Sequence, residues 1–139
     1  MLTELALESK RFWGYDDEFM ARCRSELVVS EEDIASQLVF VAEDEVSGET
    51  LGFYALKRLS EEDAELDKLF VAPEHIRLGV GRALMHDAVR VARHFGWSAL
   101  RIESDPFSAA FYESQGATLV GTATSTSTGR DLPLFELRT

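Results

Sequence analysis

The sequence predicts a mixed α/β (α+β) fold built on one central sheet, and three observations carry that prediction. Apolar and β-forming runs recur at Leu38–Ala42, Leu51–Leu59, Glu65–Val71, Ala99–Glu103, Thr118–Thr124 and Leu132–Leu137, separated by turn chemistry or helical stretches. Leu84, Ala88, Val91 and Phe95 repeat at helical spacing between the third and fourth of these runs. Further helical stretches precede the first run. The order is therefore helices, a β-meander, a long helix, a strand, a helix and a hairpin, which suits a layered sheet-and-helix domain.

Each element has a local justification. Residues 3–13 read as a helix carrying Leu5, Phe12 and Trp13, broken at Gly14. Asp16 is placed to cap a second helix through Phe19, Met20 and Leu27, and Ser30 to cap a short turn of helix at 31–36. Val46-Ser47-Gly48-Glu49 turns the first strand into the second, and Ser60-Glu61-Glu62-Asp63 leads into the third, which stops at Pro73. Gly96 stands where the long helix should end. Asp105-Pro106, aspartate at N-cap and proline at N1, opens a helix that runs to Gly116. The Ser/Thr/Gly-rich connection 125–131 suits a mobile loop. The strand–helix–strand unit from Glu65 to Glu103 should place its two strands parallel, with a right-handed crossover.

Size and charge bound the function. The 139 residues with 45% hydrophobic content fit one compact domain with a real core. A net charge of -11 disfavours nucleic acid and anionic membrane as partners, and tolerates a positively charged substrate. Cys23 is the single cysteine, so neither an internal disulfide nor a cysteine metal cluster is expected, and a reducing cytoplasm is the default location. His75, His86 and His94 show no ligand-like pairing with one another. The longest apolar runs are far too short for a membrane span.

The turn before the long helix is the most informative stretch. Gly79 and Gly81 lie at a helix N-terminus, where unpaired N–H groups and the positive dipole end face outward together. Without side chains they let a phosphate approach those groups closely; the plainer alternative is a tight turn and nothing more.

The run Leu69-Phe70-Val71-x-Pro73, this glycine turn, Ala83-Leu84 and Phe111-Tyr112-Glu113-x-x-Gly116 together resemble the GCN5-related N-acetyltransferases (GNAT). The resemblance covers nearly the whole chain, from the first helices to Leu137. The family's Gln/Arg-x-x-Gly-x-Gly/Ala motif begins here at Ile76, with Arg77 one place later, a departure that touches a side chain where the pyrophosphate is held mainly by backbone. The resemblance implies a single domain over 1–139 with the acyl-CoA N-acyltransferase-like fold. That fold has a central, mostly antiparallel sheet with one parallel strand pair and helices on both faces. Family members usually carry a strand before the first helix, and here it is short or missing.

It also implies acetyl-CoA as co-substrate, no metal, and direct transfer to a primary amine without a covalent acyl-enzyme. An amine of pKa about 10.4 is less than roughly 0.1% neutral at pH 7, so a base is useful, and the departing thiolate benefits from a proton. The resemblance makes Tyr112 the candidate general acid, against the alternative that Phe111-Tyr112 is a core aromatic pair. Glu65 or Asp67, alternating on one side of the strand, is the candidate base acting through water, unless both are solvated edge charges. Leu69, Phe70 and Val71 should hold the pantetheine arm by backbone groups, and Arg77, Leu78, Gly79, Val80, Gly81 and Arg82 the phosphates. Asp105, where many members have asparagine, and Phe111 should lie beside the cofactor. Trp13, Tyr15, Phe19 and Met20 fall where the family's first helices wall the acceptor site, although such residues are often plain core. Arg130, in the final loop, is a further candidate for substrate contact. The acceptor is a small-molecule or peptide amine, and an exposed edge near the terminal strands offers a route to a homodimer.

Two rivals stand beside this reading. Glu103 lies 22 residues after Gly81, as a ribose-binding acid would in a dinucleotide fold, but Leu84 occupies the third glycine position and seven residues (72–78) intervene between strand and glycines. The same fold could also bind acetyl-CoA as a sensor or scaffold without turnover. A phosphate-loop NTPase is excluded because no Gly-Lys-Ser/Thr occurs.

Overall fold

The computed structural model of the chain describes residues 1–76 and 78–139. Three helices come first: α1 (Leu2–Arg11), α2 (Asp17–Leu27) and α3 (Glu31–Ser36). The meander β1 (Leu38–Glu43), β2 (Thr50–Arg58) and β3 (Asp63–Val71) follows, then α4 (Val80–His94), β4 (Ala99–Glu103), α5 (Ala109–Ser114), β5 (Thr118–Thr124) and β6 (Asp131–Arg138). Among the described residues no strand precedes α1, and no helix is long and apolar enough to cross a membrane.

The predicted caps form. The Asp16 carboxylate accepts the Phe19 N–H at 2.8 Å, and Ser30 with Asp33 makes a reciprocal capping box ahead of α3. Asp105 also caps, accepting the Phe107 N–H, but the turn it opens is a 3₁₀ turn over Pro106–Ser108; α5 begins only at Ala109.

The six strands lie in the order β1-β2-β3-β4-β6-β5, and only β3 and β4 run parallel. Helices cover both faces. On one face α4 buries Leu84, Met85, Ala88, Val91 and Ala92 against Tyr54, Leu56, Leu66, Leu100 and Ile102. On the other, α1 and α2 bury Leu5, Ala6, Met20, Cys23 and Leu27 against Phe53 and Phe70. Phe95 leaves the stripe its spacing suggested. Because α4 ends at His94, Phe95 falls out of the helical phase, stands 51% exposed and stacks on Trp97 at 5.2 Å.

Two irregularities in β3 position the site. It pairs with β4 only from Asp63–Glu65 to Ala99–Arg101, after which the strands part. Its register against β2 also slips between Ala55↔Lys68 and Leu56↔Leu66, leaving Asp67 as an extra, unpaired residue. Nearby, Gly52 admits the close approach of β3: a Cβ there would stand 2.7 Å from the Phe70 carbonyl oxygen and 3.1 Å from Leu84 Cδ1.

Candidate active site

Where β3 and β4 part, the sheet opens into a cavity of about 900 Å³ whose walls come from the helices of both faces. Its α4 end is built from backbone. Gly79 has φ +85°, a left-handed conformation that suits glycine, and turns the chain into the helix. Ala83 is the first residue to bond back, to the Gly79 carbonyl at 3.1 Å, so the N–H groups of Val80, Gly81 and Arg82 have no acceptor within the helix. Gly79, Gly81 and Arg82 border the cavity together with Phe111. A Cβ at Gly81 would touch the Phe111 ring at 3.4 Å, an ordinary contact distance. The arrangement suits an anionic phosphate group held by main-chain donors.

Leu69, Phe70 and Val71 border the cavity along the edge of β3 that has lost its partner strand. An extended acylated arm can therefore pair with main-chain groups there. Together with the helix terminus, the residues present fit an acyl-CoA, in offering main-chain donors at Gly79–Arg82 and a free strand edge at Leu69–Val71.

Tyr112 borders the same space, 7% exposed, with its ring edge-on to Phe111 at 5.2 Å. Among the described residues its hydroxyl has no hydrogen-bond partner. Burial, reinforced by the negative charge of Asp105, pushes the phenol well above its ordinary value, so it stays a proton donor throughout the neutral range. Glu65 is half-buried. Burial first, then the negative charges of Asp67 and Glu103, raise its carboxyl above the usual range and make it a stronger base than an exposed glutamate. Asp67 pairs with the buried Lys68 at 2.8 Å. The slip in register interrupts the simple alternation that was to set Glu65 and Asp67 on one side, yet both border the cavity.

The α1–α2 end holds a polar cluster. Asp105 accepts from Tyr15 Oη at 3.0 Å and pairs with Lys10 at 3.2 Å and Arg130 at 3.6 Å. Arg130 also donates to Tyr15 Oη at 2.9 Å and lies over the Phe19 ring, 4.6 Å from its centroid. Burial pushes the Tyr15 hydroxyl up despite the opposing donation from Arg130. The connection 125–131, expected to be a mobile loop, is tied down here: Ser125 and Ser127 hydroxyls both donate to Glu26, at 3.0 and 2.6 Å.

The structure therefore brings Tyr112, Glu65, Asp67, Leu69, Phe70, Val71, Gly79, Gly81, Arg82, Asp105, Phe111 and Trp13 around one cavity. Trp13 stacks flat on Phe107 at 5.5 Å. Other candidates lie elsewhere. Met20 is 2% exposed in the α1–α2 core, because it falls on the inward side of α2. Tyr15 and Phe19 stack on each other at 4.2 Å under Arg130, behind the wall rather than on it. Leu78 is 71% exposed, and Val80 packs on the α4-side core. Arg77 lies outside the described residues. Asp105 meets three partner side chains at the α1–α2 end. Its carboxylate is therefore already engaged. Lys10, Glu26, Lys68 and Phe107 also border the cavity, with no motif in the sequence to mark them, and Glu103 joins them there rather than following a dinucleotide turn. The alternating signs at Asp67-Lys68 inside a buried run were the one visible signal among them. Outside the cavity, Glu49, Glu74 and His75 bring potential ligand atoms within 4.8 Å of one another on an exposed surface.

Comparison with known proteins agrees with this fold. Residues 35–116 match the family model described as the Acetyltransferase (GNAT) domain, and no curated protein sequence matches the chain. Among solved structures, the PaiA N-acetyltransferase of Thermoplasma acidophilum in complex with coenzyme A is 22% identical, with TM-score 0.75, covering 99% of this chain and 91% of that one. A GNAT acetyltransferase of Elizabethkingia anophelis with acetyl-CoA bound is 15% identical, with TM-score 0.73 and coverage of 100% and 91%. Nourseothricin acetyltransferase is 28% identical, with TM-score 0.67 and coverage of 80% and 69%. With a family match spanning more than half of its length, the chain belongs to the GNAT acetyltransferase family.

Proposed function

We propose that this chain, as one domain over residues 1–139, transfers an acetyl group from acetyl-CoA to a primary amine by direct attack. The observation that carries the reading is the convergence on one cavity of a helix N-terminus, an unpaired strand edge, the Tyr112 hydroxyl, which has no partner among the described residues, and the half-buried Glu65. Two structural neighbours, one holding coenzyme A and one acetyl-CoA, support the choice of donor.

In this reading the N–H groups at Val80–Arg82 hold the phosphates and the free edge of β3 orients the arm. Glu65, or Asp67 beside it, takes a proton from the acceptor ammonium through water. The amine nitrogen then bonds to the thioester carbonyl carbon, the carbon–sulfur bond breaks, and Tyr112 gives its proton to the departing sulfur. The nitrogen's second proton leaves through water and restores Tyr112, and the proton taken by the carboxylate passes to solvent. The products are an N-acetylamine and free coenzyme A. The expected homodimer would form along β5, the edge of the sheet formed by the terminal strands, where Leu119 and Val120 are exposed; a monomer at the highest soluble concentration in sedimentation would remove that part.

Isothermal titration with acetyl-CoA, with NADH run alongside, tests the donor. Thiol release with a panel of amines then tests turnover. Acetyl-CoA binding with NADH silent is expected. Binding without release for any amine would favour the sensor, and no binding would remove both readings.

A further inference from the structure

The fold buries the polar residues Ser9, Lys68, Ser104 and Ser125 to more than nine-tenths, and three of them are engaged. Lys68 pairs with Asp67, Ser104 donates to the Asp105 carbonyl at 2.7 Å, and Ser125 donates to Glu26. Ser9 is the exception. It is 6% exposed, and among the described residues its hydroxyl has no hydrogen-bond partner. It makes no bond back along its own helix either, as Ser36 does to the Glu32 carbonyl at 2.8 Å. Leu2, Leu5 and Ala6 share the inward stripe of α1 with it and pack in the α1–α2 core, where periodicity calls for another apolar side chain. A buried hydroxyl without a partner costs stability, so this one takes its partner from the cavity that it borders.

The fold sets Ser9 on the acceptor side of that cavity. The main-chain donors suited to phosphates start α4, which covers one face of the sheet, whereas Ser9 belongs to α1 on the other. α1 packs on β3. Glu65 stands on β3 between Ala64 and Leu66, both in the α4-side core, so alternation points its side chain to the α1 face. Lys10, beside Ser9 at the cavity, is already engaged by Asp105. We propose that Ser9 is an acceptor-binding residue: its Oγ accepts an N–H of the primary amine and holds the nitrogen between α1 and β3, on the face to which Glu65 points. This rests on the acetyl-transfer reading and adds a substrate contact to it. A hydroxyl oxygen accepts equally from the ammonium that arrives and from the neutral amine that attacks, so the contact survives the loss of the proton.

The test compares wild type with Ser9→Ala in thiol release at saturating acetyl-CoA, with pentylamine, phenethylamine and lysinamide as acceptors. For the amine that the wild type uses best, Ser9→Ala should lower kcat/KM by about tenfold, the worth of one hydrogen bond to a charged group. Titration should give both proteins the same affinity for acetyl-CoA. The melting temperature should hold or rise, because alanine suits a helix and removes a polar group that the fold leaves unpaired. A kcat/KM within about threefold of wild type overturns the proposal and leaves acetyl transfer standing. So does a loss matched by weaker acetyl-CoA binding, which would give the hydroxyl to the donor, or by a lower melting temperature, which would give it to packing. No thiol release by the wild type with any of the three amines removes the acetyl-transfer reading and the proposal together.

Discussion

Replacing Tyr112 with phenylalanine separates a catalytic hydroxyl from a structural ring. The ring is packed against Phe111 and, at 6.2 Å, Phe135, and phenylalanine keeps those contacts. The hydroxyl has no hydrogen-bond partner among the described residues, so its removal breaks no bond of the usual net worth of about 1 kcal/mol. Stability should therefore hold or rise slightly. If the hydroxyl gives its proton to the departing sulfur, kcat should fall by about 10²–10⁴-fold, roughly 3–5 kcal/mol of barrier. The assay pairs thiol release at saturating acetyl-CoA and amine with calorimetric melting and acetyl-CoA titration on the same preparations. Because burial raises the phenol above its ordinary value of about 10, the wild-type rate should show no loss from tyrosine ionisation up to that pH. A Tyr112→Phe enzyme within about threefold of wild type in kcat would refute the proton-donor role. A fall in kcat matched by a fall in melting temperature would point to packing instead.

Glu65→Gln should lower kcat and raise the melting temperature at pH 7. The fold raises the Glu65 pKa, so the wild type loses stability as pH rises from the unfolded value of about 4.3 through the raised one; calorimetry should show the variant's advantage shrinking toward pH 4. Gly52→Ala forces a methyl group to within 2.7 Å of the Phe70 carbonyl oxygen, and urea unfolding should show a loss of about 1–3 kcal/mol, with weaker acetyl-CoA binding as β3 shifts. Asp105→Asn keeps the cap on Phe107 but strands Lys10 and Arg130, two cations that share one carboxylate. A destabilisation of roughly 2 kcal/mol by denaturant is expected, and an unchanged midpoint would show that the cluster holds nothing together.

Local chemistry made most of the framework legible. Strands at Ala99–Glu103 and Thr118–Thr124 occur with the bounds their β-forming runs suggested, and Asp16 and Ser30 cap the helices they precede. The glycine turn sits at the start of α4 as its spacing required. These features are decided by backbone conformation and side-chain periodicity within a few residues, which a sequence displays directly. Only the tertiary structure decided what the cavity is made of. The parting of β3 from β4 depends on where two strands far apart in the chain stop pairing, and the extra residue at Asp67 on a register against β2. Tyr15 meets Asp105 across 90 positions and Arg130 across 115, a closure that no local pattern announces. Met20 and Trp13 lie seven residues apart with similar apolar character, yet one is sealed in the core and the other borders the cavity. The sequence by itself determined the elements and the family. The three-dimensional packing determined which side chains share the cavity and which ion pairs form beside it, because pairing is a property of distances between segments that the chain order does not contain.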